Sequence, residues 1–471
     1  MQKSSKSNFA YTLTYNFLNI LIPLISTPYL ARILGAERIG VYSYYYSIAY
    51  YFVICTLLGL NNYGNRSIAG VRDNHVILSK TFWDIYYMQC ALSIIATALY
   101  LLYVFLLAEN KLISGLLGLY VISAGLDITW FYFGVEDFKF TVIRNLIIKI
   151  GALILILFIV KGKDDLWKYT LIMSLSFLLS QLLLWTKIKR YVKKEKFDFY
   201  SSLVHLKPNL FLFVPVVAIS IYNMMDKIML GTFCSKEQVG FYENAEKIIN
   251  IPQVFVTALG TAMLPRISNM LAKGEENDTV AYLKKSLVFS SAISSACTFG
   301  IISIAPEFVP LFLGDGYGYC ITLLYYLMPM LLFKAFANVA RTQYLIPREK
   351  DKAFIISVCC GATINFILNL ILIPQMEAVG ACIATIFAEI TVCVWQMSSI
   401  FQEQKITKAV LSALLFQVSG LIMFFVLRAI PYKGNLFWIV FIKICIGIVI
   451  YSVLSVPVLL VIKKKQVLSE N

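Results

Sequence analysis

Long apolar segments recur along the whole chain, and they limit its possible folds more than any other feature. Each has about 20 residues, the length that a helix needs to cross about 30 Å of hydrocarbon. Because backbone polar groups in lipid must be satisfied internally, the segments are predicted to be helices. Of the 471 residues, 59% are hydrophobic and 14% charged, too few polar groups for a soluble domain. We predict an all-α integral membrane protein with about 14 transmembrane helices.

The basic charge of the chain follows the same pattern. The 41 Lys and Arg outnumber the 26 Asp and Glu, for a net charge of +15. In a soluble protein this excess would suggest nucleic acid, but most basic residues fall in alternate loops, as expected for loops that stay in the cytoplasm. We therefore predict that both termini are cytoplasmic and that nucleic acid is not a partner.

A sequence echo suggests that the chain contains two related halves. The motif Val239-Gly240-Phe241-Tyr242 follows Ile39-Gly40-Val41-Tyr42 by 200 positions, as Arg266 follows Arg66. The order of apolar and polar segments around the two motifs also matches, which indicates an internal repeat. The predicted organisation is a six-helix lobe over 1–186, a basic cytoplasmic linker over 187–207, a second six-helix lobe over 208–401, and two further helices with a short cytoplasmic tail over 402–471.

Motifs typical of enzymes are not evident in the loops. The sequence has no Walker lysine loop, dinucleotide fingerprint or nucleophile elbow. Most of the ten cysteines lie in apolar segments, and the two histidines, His75 and His205, lie in loops without metal-ligand spacing. We predict no enzymatic activity, no cofactor and no metal site. Transport would then draw on an ion gradient, the membrane potential or the substrate gradient.

Charged residues inside the apolar segments are the candidates for function. An ionisable group at bilayer depth costs about 2.5 to 3.5 kcal/mol on insertion scales and normally serves a pathway or a partner. The basic members outnumber the acidic ones by five to three, which favours an anionic ligand in a cavity. The eight residues are Arg32, Asp127, Lys149, Asp226, Lys227, Lys334, Glu389 and Lys443.

Most of the basic candidates also have a structural explanation. Arg32 and Lys149 lie near the ends of their segments, from which they can snorkel to the surface. Asp226 and Lys227 are adjacent and point about 100° apart on a helix, so they cannot both line one face. Lys443 belongs to the unrepeated pair of helices, and we predict no direct role for it.

The acidic and amide candidates, and the arginines at helix ends, can likewise have either a functional or a structural role. Asp127 and Glu389 could relay protons or bind a coupling cation, or make structural hydrogen bonds. Asn223 is a further polar candidate for the cavity. Arg66 and Arg266 lie at matching cytoplasmic helix ends, where they could receive a phosphate head group or set the topology.

Three longer strings resemble a known family along essentially the whole chain. They are YLARILGAERIGVYSY (Tyr29 to Tyr44), GLDITWFYFGVEDFK (Gly125 to Lys139) and NMMDKIMLGTFCSKEQVGFYENAEKI (Asn223 to Ile248). They resemble the polysaccharide repeat-unit flippases, the Wzx-type members of the multidrug/oligosaccharidyl-lipid/polysaccharide exporter superfamily. One departure is Phe133, where the family's string would have Gln. This puts in doubt a polar contact at the cytoplasmic end of the helix predicted from Leu112 to Phe133.

The resemblance implies a fold and a substrate. Two pseudo-symmetric six-helix lobes would surround a central cavity that opens alternately to the two sides of a bacterial cytoplasmic membrane. The implied substrate is an undecaprenyl-diphosphate-linked oligosaccharide for capsule or O-antigen, with Arg32, Lys227 and Lys334 engaging its diphosphate or acidic sugars. Membrane lipids, a polysaccharide polymerase and glycosyltransferases are the other partners expected.

Two other functions stay open on the sequence. A cation-coupled exporter of drugs or metabolites would have the same fold, although the basic excess argues against organic cations as its cargo. A scaffold for glycan assembly enzymes that transports nothing would leave the intramembrane charges unexplained.

Overall fold

A computed structural model describes residues 5–430 and 434–469, and over these residues the regular structure is helical throughout. The all-α prediction is confirmed. The helices form two compact units that divide between Gly240 and Phe241. This boundary lies inside the helix Lys236–Ala272 and does not coincide with the start of the predicted second lobe at 208. The lobes predicted over 1–186 and 208–401 therefore stay a prediction.

The first unit contains nine complete helices among the described residues and the start of a tenth. They are α1 (Ser5–Leu57), α2 (Leu60–Ala69), α3 (His75–Leu106), α4 (Lys111–Gly125), α5 (Thr129–Gly134), α6 (Phe138–Ile159), α7 (Leu166–Ile188), α8 (Phe199–Val204), α9 (Leu206–Phe233) and the beginning of α10 (Lys236–Ala272). The predicted linker over 187–207 therefore contains a short helix, α8.

The second unit takes up the rest of α10 and six further helices in the described part of the chain. They are α11 (Glu276–Leu313), α12 (Gly318–Leu327), α13 (Met330–Ala340), α14 (Asp351–Phe401), α15 (Thr407–Ala429) and α16 (Leu436–Ser469). A π-helical turn, Arg341–Leu345, and a 3-10 turn, Ile346–Arg348, lead from α13 towards α14.

Kinks reconcile these helices with the predicted number of spans. The described residues contain 11 helices that are long and apolar enough to cross a membrane, and a pair that bends by 46° makes a twelfth. Two of the 11 have 49 and 51 residues, more than twice the length of one span. They turn at Gly35 (φ 77°) and Glu377 (φ 51°). Dividing each at its kink leaves room for the predicted 14 spans.

Part of the string from Gly125 to Lys139 belongs to the hydrophobic core of the first unit. Trp130, Phe131 and Tyr132 are completely buried. The Trp130 indole donates to Gln89 Oε1 at 3.0 Å, and the Tyr132 hydroxyl donates to the Leu184 carbonyl at 2.5 Å. Buried Trp and Tyr side chains usually need such partners. The string therefore has a packing role that links α3, α5 and α7.

The two glycines of the sequence echo pack against each other's helix. A Cβ atom added to Gly40 would lie 1.6 Å from the Lys236 carbonyl oxygen, and one added to Gly240 would lie 1.9 Å from the Ala36 carbonyl oxygen. Ala36 and Lys236 are also 200 positions apart. The contact is therefore reciprocal, as at a two-fold interface, and glycine allows the two backbones to meet.

Candidate functional site

A polar cluster in the second unit contains two of the predicted residues. Lys334 on α13 places its Nζ 3.0 Å from Glu389 Oε1 on α14. The same ammonium donates to Gln253 Oε1 on α10 at 3.3 Å. The Lys334 side chain is 20% exposed and that of Glu389 only 4%. Three helices thus bring one cation, one carboxylate and one amide together inside a membrane-spanning bundle.

A layer of polar contacts lies one turn further along α13. Asn338 Oδ1 accepts from Arg341 Nη2 at 3.0 Å, and the Thr342 hydroxyl donates to the Asn338 carbonyl at 2.7 Å. A Cβ atom added to Gly260 would lie 2.5 Å from Asn338 Nδ2. Gly260 therefore allows α10 to approach α13 closely, which helps to hold Gln253 beside Lys334.

The two arms of α14 are joined outside the bilayer by an ion pair. Lys350, just before α14, donates to Glu403, just after it, and the Tyr344 hydroxyl donates to the same carboxylate. The Lys350 ammonium, followed by the Tyr344 hydroxyl, holds the pKa of Glu403 below its ordinary value. This pair fixes the base of the hairpin whose second arm carries Glu389.

Asp226 and Lys227 lie in the first unit, on α9. Their side chains are 2% and 7% exposed. Because adjacent residues point about 100° apart, burial of both means that two neighbouring faces of α9 are enclosed at this level. The Tyr51 hydroxyl of α1 donates to the Ser220 carbonyl of α9 at 3.2 Å, so α1 covers part of this helix. Asn223, one turn earlier, is exposed.

Asp127 occupies a break in a predicted helix. The sequence predicted one helix from Leu112 to Phe133, but the chain leaves helical geometry between α4 and α5. Asp127 Oδ1 accepts from the Thr129 backbone N–H at 2.8 Å, and its carbonyl accepts from Gln89 Nε2 at 2.8 Å. An aspartate at a helix start normally satisfies such N–H groups. Asp127 therefore makes the structural hydrogen bonds that were the alternative to a coupling role, and the coupling role stays a prediction.

The three arginine candidates are exposed and occupy different settings. Arg32 lies on α1 just before the Gly35 kink, and Arg66 lies in the last turn of α2. Arg266 was predicted to lie at a helix end, and this placement is wrong, because α10 continues through Pro265 to Ala272. A proline can be accommodated within a membrane helix when neighbouring groups satisfy the freed carbonyl.

Arg266 borders an open groove of about 560 Å³. Its guanidinium carbon lies 4.4 Å from the centre of the Tyr282 ring, and the same group donates to the Tyr282 hydroxyl. Lys273, Glu275 and Asp278 also line the groove. The charge of its lining is therefore mixed, with carboxylates beside the basic groups.

The sequence reasoning missed two charged residues inside apolar segments. Lys443 Nζ forms an ion pair with Glu307 Oε1 at 2.7 Å, and the lysine side chain is 3% exposed. Arg144, which is 4% exposed, donates to the Ser180 carbonyl at 3.0 Å. Glu307 is flanked by apolar residues and Arg144 lies near the start of its span, so a complete search for intramembrane charges would have found both. With both included, the apolar segments hold six basic and four acidic residues, so the excess of two basic charges is unchanged. Two of the basic groups, Lys443 and Lys334, are paired with Glu307 and Glu389.

Comparison with known families gives two overlapping matches. The sequence profile of the family described as polysaccharide biosynthesis protein matches residues 5–271, more than half of the chain. A second profile, described as MatE, matches residues 212–371.

Two relatives match most of the chain and a third matches less than half of it, all at low identity. A protein named as an O-antigen transporter in Escherichia coli (strain K12) is 23% identical over 397 residues, which are 82% of this chain and 94% of that protein. A protein named as an O-antigen transporter in Shigella dysenteriae is 23% identical over 402 residues, 84% of this chain and 100% of that protein. A Haloferax volcanii protein named as a low-salt glycan biosynthesis flippase is 26% identical over 42% of each chain.

Solved structures share the fold. The inward closed conformation of the lipid II flippase MurJ has a TM-score of 0.76 and 17% identity, over 95% of this chain and 98% of that one. The inward-facing conformation of a multidrug resistance transporter of the MATE family has a TM-score of 0.60 and 12% identity, over 87% and 96%. At these identities the similarity concerns the fold alone.

Proposed function

Because the chain belongs to the family of polysaccharide biosynthesis proteins, we propose that it is the flippase for an undecaprenyl-diphosphate-linked oligosaccharide. It carries this unit from the cytoplasmic to the outer leaflet for the synthesis of capsule or O-antigen. The relatives named as O-antigen transporters and as a glycan flippase support this assignment. The family and the apolar helices make the chain a multi-pass membrane transporter of polysaccharide biosynthesis.

The observation that carries the proposal is the presence of two cations, the buried Lys227 and the partly buried Lys334, within membrane-spanning helices. Lys227 and Lys334 belong to apolar helices of a chain whose family handles glycans. Ionisable groups at such depth are normally retained for a transport pathway or a partner. A lysine ammonium can replace part of the hydration of a phosphate as the head group leaves water.

The other candidate residues are also assigned roles in transport. Arg32, Arg66 and Arg266 guide or bind the anionic head group, and Asn223, Asp127, Asp226 and Glu389 supply polar or ion-coupling groups. An inside-negative membrane potential favours outward movement of negative charge by about 2.3 kcal/mol per charge per 100 mV. The main barrier is then desolvation of the diphosphate and sugars, which these groups lower.

The proposal also includes a location and partners. The protein lies in the bacterial cytoplasmic membrane with both termini in the cytoplasm, where a lipid-linked unit is assembled. A polysaccharide polymerase would use the flipped unit and glycosyltransferases would supply it. Reporter fusions at each terminus test the orientation, and a reporter active only outside the cell would contradict it.

Depletion of the protein tests the proposed function. Cells that lack it are expected to accumulate the lipid-linked repeat unit on the inner leaflet and to lose the surface polymer. Lipid extraction with mass spectrometry measures the first effect and polymer staining the second. Unchanged surface polymer, with no accumulation, would refute the proposal.

Complementation of the depleted cells tests Lys227 and Lys334. The double variant Lys227→Ala, Lys334→Ala is expected to restore polymer poorly although it reaches the membrane. Lys350→Ala is the matched control, because Lys350 also pairs with a glutamate but lies outside the spans. Full restoration by the double variant would remove both lysines from the mechanism.

A drug or metabolite exporter is the second candidate, favoured by the MatE profile and by the fold shared with a MATE transporter. Greater drug sensitivity of depleted cells, with normal surface polymer, would support it over the flippase.

A further inference from the structure

In the cluster formed by Lys334, Glu389 and Gln253, the two charged side chains differ in how far a ligand can reach them. The ammonium is held on one side by a carboxylate at 3.0 Å and on another by an amide oxygen at 3.3 Å. One fifth of the Lys334 side chain is exposed, whereas the Glu389 side chain is almost fully enclosed. A ligand can therefore approach the cation but not the carboxylate.

The internal carboxylate competes with any external anion for the same ammonium. If an anion displaced charged Glu389, a buried carboxylate would lose its counter-ion, and such a group is strongly destabilised. A proton removes this penalty, because neutral Glu389 no longer needs the lysine. Gln253 carries no charge and can hold the ammonium in either state.

We propose that Lys334, Glu389 and Gln253 form a proton-linked anion site for a phosphate or carboxylate group. Glu389 takes up one proton, its ion pair with Lys334 breaks, and the still-protonated ammonium pairs with an oxygen of the incoming anion. Release of the anion reverses the step, and the proton leaves as the ion pair reforms. One proton is therefore taken up for each anion bound. The identity of the anion as the diphosphate or acidic sugar of a glycolipid rests on the proposed function.

The groups around Glu389 fit this assignment. Lys334 faces it from α13, and the Cys393 thiol lies one turn along its own helix. Gln253 lies beside the pair on α10. Arg341, which follows α13, donates to Asn338. Lys334 is thus the charged group in direct contact with Glu389 among the described residues, and it is the group whose pairing the proton controls.

Calorimetry on the purified full-length protein tests the proposal. The probe is farnesyl diphosphate, which has the diphosphate and a short apolar tail. Titration in two buffers of different ionisation enthalpy gives the number of protons bound. Uptake of close to one proton is expected, with affinity falling about tenfold per pH unit in the range where free Glu389 is charged. No binding, or binding without proton uptake, would overturn the proposal.

Two variants and a control give the residue assignment. Glu389→Gln is expected to bind the probe with no proton uptake and with affinity independent of pH, whereas Lys334→Gln is expected to lose at least tenfold in affinity. Glu403→Gln, which changes an exposed Lys–Glu pair in the same unit, should keep the native linkage. Persistent proton uptake in a folded Glu389→Gln protein would overturn the assignment, and the native measurement stands even if that variant does not fold.

The proposed function can fail separately. Proton-linked probe binding in a protein whose depletion leaves surface polymer and its lipid precursor unchanged would refute the flippase and keep the site. Loss of polymer on depletion, together with probe binding that takes up no proton, would refute the site and keep the flippase.

Discussion

The reciprocal contact between the echo glycines predicts a sharp response to a single methyl group. In Gly240→Ala the new Cβ would lie 1.9 Å from the Ala36 carbonyl oxygen, whereas Cβ atoms essentially never come within 3.0 Å of another heavy atom. The backbones must therefore separate by the difference, about 1.1 Å. The obstacle is a helix backbone, which cannot rotate away as a side chain can.

The magnitude follows from the packing. Overpacking of this kind typically costs about 1–3 kcal/mol, and separating close-packed helices also weakens their dispersion contacts. For a unit of this size, each kcal/mol lowers the melting temperature by about 2–4 °C. The expected result for Gly240→Ala is a melting temperature lower by roughly 2–12 °C, with Gly40→Ala behaving alike.

Thermal unfolding in detergent, followed by size-exclusion chromatography of heated samples, measures this change. Gly115→Ala is the matched control in the first unit, because a Cβ atom there meets no heavy atom within 4 Å. Alanine is favoured over glycine in a helix by about 1 kcal/mol, so the control should unfold at the native temperature or slightly above it. If Gly240→Ala and Gly40→Ala were as stable as Gly115→Ala, the reasoning from close backbone approach would be refuted.

Two further predictions concern ion pairs in the second unit. Lys443→Met should destabilise the protein by about 3–5 kcal/mol, because it leaves the Glu307 carboxylate buried without its partner. The double variant Lys443→Met, Glu307→Leu should recover most of that loss in the same unfolding assay. Equal stability of the single and double variants would contradict this. Lys350 and Tyr344 lower the pKa of Glu403 in the folded state below its ordinary value of 4.5, so this stabilisation is present above that pH and is lost as the pH falls through the folded pKa. The pair is exposed and contributes about 0–1 kcal/mol. Glu403→Gln should therefore lower the melting temperature slightly at neutral pH and leave it unchanged in strong acid. A difference in melting temperature that grows with acidity would refute this pH dependence.

Local patterns in the sequence were sufficient for the class of fold. Hydropathy is a property of consecutive residues, so apolar runs identified the membrane helices without knowledge of their neighbours. Breaks within those runs were harder. The break at Asp127 and the continuation of α10 past Pro265 depend on hydrogen bonds and packing that hydropathy does not report.

The sequence by itself also determined which charges lie within apolar helices, because position along a span sets their approximate depth. The tertiary structure decided how those charges are used. Lys443 and Glu307 are 136 positions apart, and Lys334 meets Glu389 because α13 packs on α14. The same holds for Gly40 and Gly240, whose repeat was visible in the sequence but whose contact was not. Pairing between distant segments depends on how helices cross, and a one-dimensional pattern does not contain that geometry.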